Sequence, residues 1–509
     1  MKAKADIGKM VRILSASALF CFCILTFSHN KADVDLWGNA GFVTALPGQM
    51  GFHHTNTYSF TEPDSKWTNH EWLAEYFINR AFVFVGNPGL IAGKILLGFL
   101  LIAIILSSIR KTCSTGVIIF LFMMVMLSTI GYGYSTRPHL FTYILIALYL
   151  KILTENRLKN LHLLALIGIT AIIWANLHGA FFIGAIILLV FALFKDTTPT
   201  EPVGKGNRLV YSIAFILFVA CSMINPYGTT LWSFVGNSAM LTRPYLSEWA
   251  PFNPLTDFQD HTDFMALTAI SAFCLIFSKK RRSAPMLAVI LLAFVSAVCM
   301  RRNIPLFAIA ACFIIPEHAE SAMAHHIKGL RALNSPRLQA YFLAVMTAMS
   351  LSYSIFFNKA NFFQMEVQQD RFPVDVFRFV KDNGIKGNAI VFFDWAEYAI
   401  WNVYPDCKVF MDGRFDSAYG NKSIKDYLDF IYHQDNWSKA LSDYPTDMAI
   451  LHIDNPAYKA LLTTPGWSLV YESDIAGLIL KNDSHKEFFD KIALKQIKQP
   501  VINKTEYFP

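Results

Sequence analysis

Two acidic residues, Asp33 and Asp35, directly follow the first apolar stretch of the chain. A carboxylate held in place can take a proton from an attacking hydroxyl as a general base. Two such acids, together with an imidazole from His53 or His54, also suit a divalent cation such as Mg²⁺ or Mn²⁺. Two solvated loop acids are an equally good interpretation of the residue types alone. We place Asp35 ahead of Asp33 as the base, because it is nearer to the aromatic ring of Trp37.

Arginines form a second candidate group. Arg137, Arg301 and Arg302 each lie beside an apolar run. A guanidinium group binds phosphate oxygens through two parallel, charge-assisted hydrogen bonds, so these residues are candidates for holding a phosphate. Arg301 and Arg302 are also compatible with a pair whose long side chains only reach the lipid headgroups.

A third set of polar residues could support a site or contact a substrate. Its members are His53, His54, His70, Glu71, His178, Asp394, Asp412 and Arg414. Several have a simpler structural interpretation. His178 precedes Gly179 at what reads as a helix end, and Asp412-Gly413-Arg414 is compatible with a strand end closed by an ion pair.

The composition separates the chain into two parts. Apolar residues make up 54% of the 509 residues and charged residues only 16%, which excludes a disordered chain and an ordinary soluble enzyme. Residues 358–509 hold 17 basic and 21 acidic side chains, whereas residues 1–357 hold 27 and 16. We therefore expect a membrane domain over 1–357 and a soluble domain over 358–509. The soluble part is net acidic, so nucleic acid is not an expected partner.

The apolar runs predict about eleven membrane-spanning helices. The run at 303–316 is short enough to be buried among its neighbours instead. With the N-terminus inside, the inner segments hold nineteen basic residues and the outer segments seven. This bias predicts a multi-pass protein of a bacterial inner membrane, with a cytoplasmic N-terminus and a periplasmic or extracellular C-terminal domain. A long outer loop over 29–87 would contain a helix over 71–84 lying in the membrane interface.

Residues 358–509 predict a small α/β domain. A helix is expected over Asp375–Lys381, and short buried strands over Ala389–Phe393, Lys408–Met411, Met448–His452 and Gly477–Leu480. On the membrane side, the acids, histidines and arginines fall near the outer ends of predicted spans. Ionisable groups at membrane depth usually face a cavity, so the sequence predicts one outward-facing site.

These motifs resemble the GT-C superfamily of membrane glycosyltransferases, which places an acid just past the first span and a long loop after it. A group of uncharacterised bacterial multi-span proteins, described as glycosyltransferase-like, resembles the chain more closely. The matching segments are Asp33-Val34-Asp35-Leu36-Trp37, Tyr58-Ser59-Phe60-Thr61, Asn69-His70-Glu71-Trp72-Leu73-Ala74, Arg137-Pro138-His139-Leu140-Phe141, Trp174-Ala175-Asn176-Leu177-His178-Gly179, Asn225-Pro226-Tyr227-Gly228, Arg302-Asn303-Ile304-Pro305-Leu306 and Val409-Phe410-Met411-Asp412-Gly413-Arg414.

The resemblance implies a sugar donor linked to polyprenyl phosphate and a glycan, lipid or protein acceptor on the outer face. It also implies that the acid past the first span, here Asp33 or Asp35, acts as base or holds a metal. Some members need a divalent metal and others do not, so the metal question stays open. An O-antigen polymerase or ligase, a transporter, and a non-catalytic membrane scaffold are the alternatives.

Overall fold

The computed structural model describes residues 2–42, 55–112, 116–155, 157–194, 208–240, 243, 246–326, 336–357, 362–501 and 503–509. Most of these residues are helical, and the strands lie towards the C-terminus. The chain divides into two compact units. Unit 1 comprises Met1–His29, Ile91–Thr229 and Ala239–Phe362, and unit 2 comprises Asn30–Leu90, Thr230–Ser238 and Phe363–Pro509.

The first fifteen helices are α1 (Lys2–Phe27), α2 (Leu36–Gly41), α3 (Trp72–Val85), α4 (Asn87–Thr112), α5 (Gly116–Gly131), α6 (His139–Glu155), α7 (Asn160–Leu177), α8 (Phe182–Leu193), α9 (Arg208–Ser222), α10 (Thr230–Met240), α11 (Thr262–Phe277), α12 (Ala284–Cys299), α13 (Ile304–Cys312), α14 (Ile315–His326) and α15 (Pro336–Phe357). The remaining helices are α16 (Val374–Asp382), α17 (Ala396–Val403), α18 (Asn421–Ile431), α19 (Lys439–Ser442), α20 (Pro456–Leu461) and α21 (Lys486–Ala493).

The strands are β1 (Glu366–Val367), β2 (Gly387–Val391), β3 (Cys407–Val409), β4 (Met448–His452), β5 (Trp467–Glu472), β6 (Ala476–Lys481) and β7 (Glu506–Tyr507).

Unit 1 is a bundle of apolar helices with α13 near its centre. Helix α13 packs against α5, α6, α11, α12 and α14, and every residue of it except Leu306 is buried. This confirms the expectation that the apolar run over 303–316 is enclosed by its neighbours. Helix α1 packs along α15 and α5, and α9 packs against α7 and α8.

Two described helical segments are long and apolar enough to cross a bilayer, Asn87–Ile109 and Asn160–Leu177. The segments Arg301–Cys312 and Ile315–Met323 meet at a bend of 62° and together could form a third. Seven further helices contain apolar stretches of 10–17 described residues. Two of these stretches, Ile13–Phe27 and Ala340–Met349, are parts of the longer helices α1 and α15. The expected eleven spans are therefore not confirmed.

The sheet of unit 2 has five strands in the order β3-β2-β4-β6-β5. Strand β2 pairs in parallel with β3 and with β4, whereas β6 is antiparallel to β4 and β5. The four predicted strands correspond to β2, β3, β4 and β6, and the predicted helix to α16. Strand β5 was missed, because it lies at the edge of the sheet and none of its residues is buried.

Residues 30–90 fold as part of unit 2, although composition groups them with the membrane domain. Backbone pairing is the physical reason. Ala32 donates its N–H to the Glu366 carbonyl (2.7 Å), and Val409 donates its N–H to the Tyr58 carbonyl (3.1 Å). The predicted helix over 71–84 is present as α3, and its place in a membrane interface stays a prediction. The predicted division at residue 358 lies close to Phe363, where the last segment of unit 2 begins.

Replacing Gly477 with alanine should destabilise unit 2. Gly477 lies in β6, between strands β4 and β5. A β-carbon on Gly477 would lie 2.2 Å from the ring of the buried Tyr458. Overpacking of this kind typically costs about 1–3 kcal/mol. We expect Gly477→Ala to lower the thermal unfolding temperature of the purified full-length protein.

Gly236→Ala is the matched control, because a β-carbon on Gly236, within α10, meets nothing within 4 Å. Equal unfolding temperatures for Gly477→Ala and wild type would contradict the packing of β6 against α20.

Candidate functional site

Helix α2 of unit 2 positions the two acids that follow α1. Asp35 immediately precedes α2 and donates its backbone N–H to Asp33 Oδ1 (3.1 Å). Both acids are half-buried. The next five residues of α2, from Leu36 to Ala40, are fully buried, so the helix cannot move freely away from the unit. The position of Asp35 is therefore fixed by the packing of the residues that follow it.

A third acid, Glu397, lies against this turn. It belongs to α17, and Gly38 of α2 donates its backbone N–H to Glu397 Oε2 (3.0 Å). The carboxyl group also lies against Gly413. A β-carbon on Gly38 or on Gly413 would stand 2.4 Å from one of the Glu397 oxygens. Both positions therefore require glycine, because any side chain would displace this carboxyl group.

Glu397 and Asp35 are neighbouring carboxyl groups. A β-carbon built on Gly413 would lie 2.4 Å from Glu397 Oε1 and 3.8 Å from Asp35 Oδ1. Burial raises the pKa of Glu397 well above its usual value, and the negative charges of Asp35 and Asp412 raise it further. This direction is expected when like charges share a poorly hydrated site, because both burial and neighbouring negative charge disfavour the ionised form.

Arg414 forms a buried ion pair with Asp412. Two hydrogen bonds join them, from Arg414 Nε to Asp412 Oδ1 (2.8 Å) and from Arg414 Nη2 to Asp412 Oδ2 (2.6 Å). Arg414 Nη2 also donates to Asn56 Oδ1 (2.7 Å). The aromatic rings around the guanidinium carbon, at 4.7–5.8 Å from it, are those of Phe42, Tyr58, Trp67 and Tyr419. At this distance rings stabilise a cation. The contacts of both side chains favour the structural interpretation of the Asp412-Gly413-Arg414 motif.

Glu75 is a second buried acid of unit 2. Asn69 donates its side-chain N–H to Glu75 Oε2 (2.7 Å), and burial raises the pKa of Glu75 to about 8. The predicted residues His70 and Glu71 are adjacent to this pair. His70 Nε2 lies 3.6 Å from Glu71 Oε1, and the His70 ring packs on Phe234.

In unit 1, the three predicted arginines share one group of contacts. Arg137 and Arg302 lie 3.3 Å and 3.5 Å from opposite oxygens of Glu248, and Arg301 lies 3.2 Å from Asp257. This group also contains Arg243, which the sequence left outside the phosphate candidates. Its guanidinium carbon stands 3.8 Å from the ring centre of Trp249, and that of Arg302 stands 4.4 Å from the same ring. Four guanidinium groups therefore meet two carboxylates.

The other predicted residues are placed elsewhere. His178 of unit 1 is buried, and its Nδ1 forms a hydrogen bond with Thr142 Oγ1 (2.9 Å), which accepts a hydrogen bond from Trp174 Nε1 (2.8 Å). Asp394 is exposed on a single helical turn at Phe393–Trp395. His53 and His54 lie outside the described residues.

The described side chains do not form a binding site for a divalent metal ion. Within the residues that the structure describes, no three His, Cys, Asp or Glu side chains form a group that could hold a metal ion. The ligand set predicted from sequence needs His53 or His54, which lie outside those residues, so the metal stays a prediction.

Sequence reasoning missed Glu397, Glu75 and Trp249 as site residues. In the sequence, Glu397 lies within Phe393-Asp394-Trp395-Ala396-Glu397-Tyr398, and Glu75 is a charged residue of the predicted interfacial helix. Neither position by itself indicates a buried acid. No local signal marks Glu397, because its partners Gly38 and Gly413 lie far from it in the sequence. Trp249 stands beside Glu248 in a short polar segment, and a Glu-Trp pair there was the available signal.

Comparison with solved structures identifies the architecture. The chain is similar to the archaeal oligosaccharyltransferase AglB from Archaeoglobus fulgidus, solved with an inhibitory peptide and a dolichol-phosphate, with a TM-score of 0.58 at 12% identity over 89% of this chain and 70% of that one. The chain has a GT-C-like fold.

Two structures of the arabinofuranosyltransferase AftD from Mycobacteria, one of them a mutant, also match. Each has a TM-score of 0.48 over 93% of this chain, with 12% and 13% identity, and the match spans 40% and 41% of the AftD chains. No protein-family model matches the chain. No curated protein matches it either.

The raised pKa of Glu75 predicts a pH-dependent stability. An acid whose pKa is higher in the folded than in the unfolded state costs stability as the pH rises between the two values. Here that range runs from the usual value of 4.5 to about 8. Glu75→Gln keeps the oxygen that accepts from Asn69 and cannot ionise. Its stability relative to wild type should rise by up to about 1.4 kcal/mol per pH unit across that range.

Thermal unfolding of both proteins at several pH values measures this difference. Glu487→Gln, on the exposed side of α21, is the matched control and should not reproduce the pH dependence. A constant difference between Glu75→Gln and wild type across the range would show that Glu75 is not held protonated by burial.

Proposed function

We propose that this protein is an integral-membrane glycosyltransferase that moves a sugar from a polyprenyl-phosphate-linked donor to a cell-envelope acceptor. The observation that carries the proposal is the placement of Asp35. This half-buried side chain follows the first helix in the sequence and lies next to the buried carboxyl group of Glu397, in a chain with a GT-C-like fold. The charge bias supports action on the outer face of a bacterial inner membrane, with unit 2 on that side.

The proposed reaction needs a base. An acceptor hydroxyl attacks the anomeric carbon of the donor sugar, its proton passes to the carboxylate, and the bond from that carbon to the phosphate oxygen breaks. Asp35 is the proposed base, with Asp33 as the alternative. General-base help of this kind is worth roughly 10²–10⁴-fold in rate.

The reaction also needs positive charge at the leaving phosphate. Arg137, Arg243, Arg301 and Arg302 of unit 1 are the proposed source of this charge, because their guanidinium groups gather around Glu248, Asp257 and Trp249. Trp249 stacks with two of these guanidinium groups and adds an apolar surface of the kind that a polyprenyl chain requires. The dolichol-phosphate bound to the similar oligosaccharyltransferase is consistent with a lipid-linked donor here.

Replacing the proposed base should abolish sugar transfer without unfolding the protein. Purified Asp35→Asn protein, in lipid, should transfer radiolabelled sugar from a panel of polyprenyl-phosphate sugars to cell-envelope acceptors at least about 100-fold more slowly than wild type. Asn keeps the size of the side chain and removes its basicity. Asp33→Asn tests the alternative base in the same assay.

Asp474→Asn is the matched control, because Asp474 is an exposed acid of the same unit that belongs to no candidate set, so this variant should transfer sugar at the wild-type rate. If Asp35→Asn, Asp33→Asn and the double variant all turn over at the wild-type rate, the base assignment is wrong. If wild-type protein neither transfers sugar nor binds any donor, the non-catalytic scaffold becomes the better interpretation.

Removing a guanidinium group from unit 1 should weaken donor binding. Arg302→Gln loses one charged hydrogen-bond donor to phosphate, a contact worth about 1.5–3 kcal/mol, so donor affinity should fall at least about tenfold. Arg157→Gln is the matched control, because Arg157 also lies near a glutamate of unit 1, at 3.8 Å, but its side chain is 68% exposed. Equal donor affinity for wild type and Arg302→Gln, measured with a labelled polyprenyl-phosphate sugar, would remove Arg302 from the donor site.

A further inference from the structure

Two cavities of unit 2 meet at one pair of aromatic residues. The first has a volume of about 400 Å³ and is lined by residues of α2 and by the end of α17. The second has a volume of about 360 Å³ and is lined by α16, the turn that follows it, and the same end of α17. Trp401 and Tyr404 line both cavities. Each cavity falls within the size range of small-ligand sites.

The first cavity is aromatic. Trp37, Phe42, Trp401 and Tyr404 contribute rings to its wall. The centres of the Trp37 and Trp401 rings are 6.0 Å apart, and Tyr404 is held by the ring of Tyr58 at 5.0 Å. The rings are packed against one another, so they form a rigid wall. Such a wall suits a ligand with a flat face of C–H groups.

The second cavity is polar. Lys381, Asn402 and Asp406 line it together with backbone of the turn at Gly384. Lys381 and Asp406 are exposed, and Asn402 is half-buried. These side chains supply hydrogen-bond donors and acceptors beside an aromatic wall. Asn402 donates its side-chain N–H to the Tyr398 carbonyl (2.8 Å), and Asp406 is paired with Lys386 (2.8 Å). With the Lys381 ammonium and the further oxygen atoms of Asn402 and Asp406, the cavity suits a ring that carries hydroxyl groups better than a hydrocarbon chain.

An unpartnered polar atom stands in the wall of the first cavity. Trp37 is 2% exposed, and within the described part of the chain its Nε1–H has no hydrogen-bond acceptor. Buried polar groups in native proteins nearly always have a partner. A small shift of the indole towards the cavity, on binding of a hydroxyl-bearing ligand, would supply one. Trp37 also lies two residues after Asp35, at the start of the same helix.

We propose that these two cavities form one subsite for a saccharide chain of at least two rings. One sugar ring stacks on Trp401 and Tyr404 in the aromatic cavity, and the next extends over Lys381, Asn402 and Asp406. The inference rests on the proposed glycosyltransferase function and names a substrate contact for it. The saccharide belongs either to the acceptor glycan or to the donor.

Binding of free saccharides to the full-length protein in lipid nanodiscs tests the subsite. The probes are soluble disaccharides and trisaccharides of common cell-envelope hexoses and pentoses, and the readouts are saturation-transfer NMR and tryptophan fluorescence. At least one probe should bind the wild-type protein. Trp401→Ala should weaken it by about tenfold, since a stacked ring is lost. Trp437→Ala, a half-buried tryptophan of the same unit that lines neither cavity, is the matched control.

A second variant avoids the case in which Trp401→Ala fails to fold. Lys381 and Asp406 are exposed, so Lys381→Ala with Asp406→Ala should fold normally and weaken the same probe. The proposal is overturned if no probe binds wild type, or if the probe binds wild type and the folded variants equally. Binding that is lost only in Trp437→Ala would also overturn it.

Transfer assays on the same samples separate the source of the saccharide from the proposed function. A higher KM for the acceptor in the Lys381→Ala/Asp406→Ala variant assigns the saccharide to the acceptor, and a higher KM for the donor assigns it to the donor. Asp35→Asn should lose transfer yet bind the free probe like wild type. If transfer depends on Asp35 but no saccharide binds at the two cavities, the subsite is refuted and the proposed function stays in place.

Discussion

The buried carboxyl group of Glu397 holds the start of α2, where Asp35 lies, in place within unit 2. This group accepts a hydrogen bond from the backbone of Gly38 and lies against Gly413, so three distant stretches of chain meet around it. An ionised carboxylate at such a position would carry a large desolvation cost. The pKa of Glu397 is raised well above its usual value, because burial and the neighbouring charges of Asp35 and Asp412 disfavour the ionised form. Asp35 is left as the more hydrated carboxylate of the pair.

The same region contains a buried ion pair between Arg414 and Asp412. The Arg414 guanidinium is paired with Asp412 and enclosed by aromatic rings, whereas its Nη1 has no hydrogen-bond partner among the described residues. Removing either partner of a buried ion pair leaves an uncompensated charge, which is far more costly than losing the pair as a whole. The two buried acids of this region therefore differ in their surroundings: Asp412 is paired with a cation, and burial raises the pKa of Glu397.

In unit 1, acids and an aromatic ring hold four arginines close together. Glu248 bridges Arg137 and Arg302, and Trp249 lies between Arg302 and Arg243. The bridging acid keeps the guanidinium groups close together despite their mutual repulsion. The stacked indole fixes the planes of two of them. An anion that arrives at this group would meet donors that are already ordered, so little side-chain entropy would be lost on binding.

The sequence by itself determined the features that depend on local composition and order. These are the apolar character of the first part of the chain and the α/β character of the last part. They also include helix α3, four of the five strands of the main sheet, and the position of Asp33 and Asp35 after the first helix. Periodicity and composition act over a few turns of chain, so one sequence is enough to reveal them. The count of about eleven membrane spans stays a prediction, because the described helices include two that are long and apolar enough to cross a bilayer, or three if the bent pair is one span.

Only the tertiary structure decided which polar residues meet. Glu397 lies 359 residues from Gly38 in the sequence, and Arg414 lies 358 residues from Asn56. No spacing rule connects positions so far apart. The state of each acid depends on its depth and on the charges around it, as Glu75 and Glu397 show, and both are properties of the packed chain. Residue types therefore indicated that carboxylates were available, and burial decided which of them have a raised pKa.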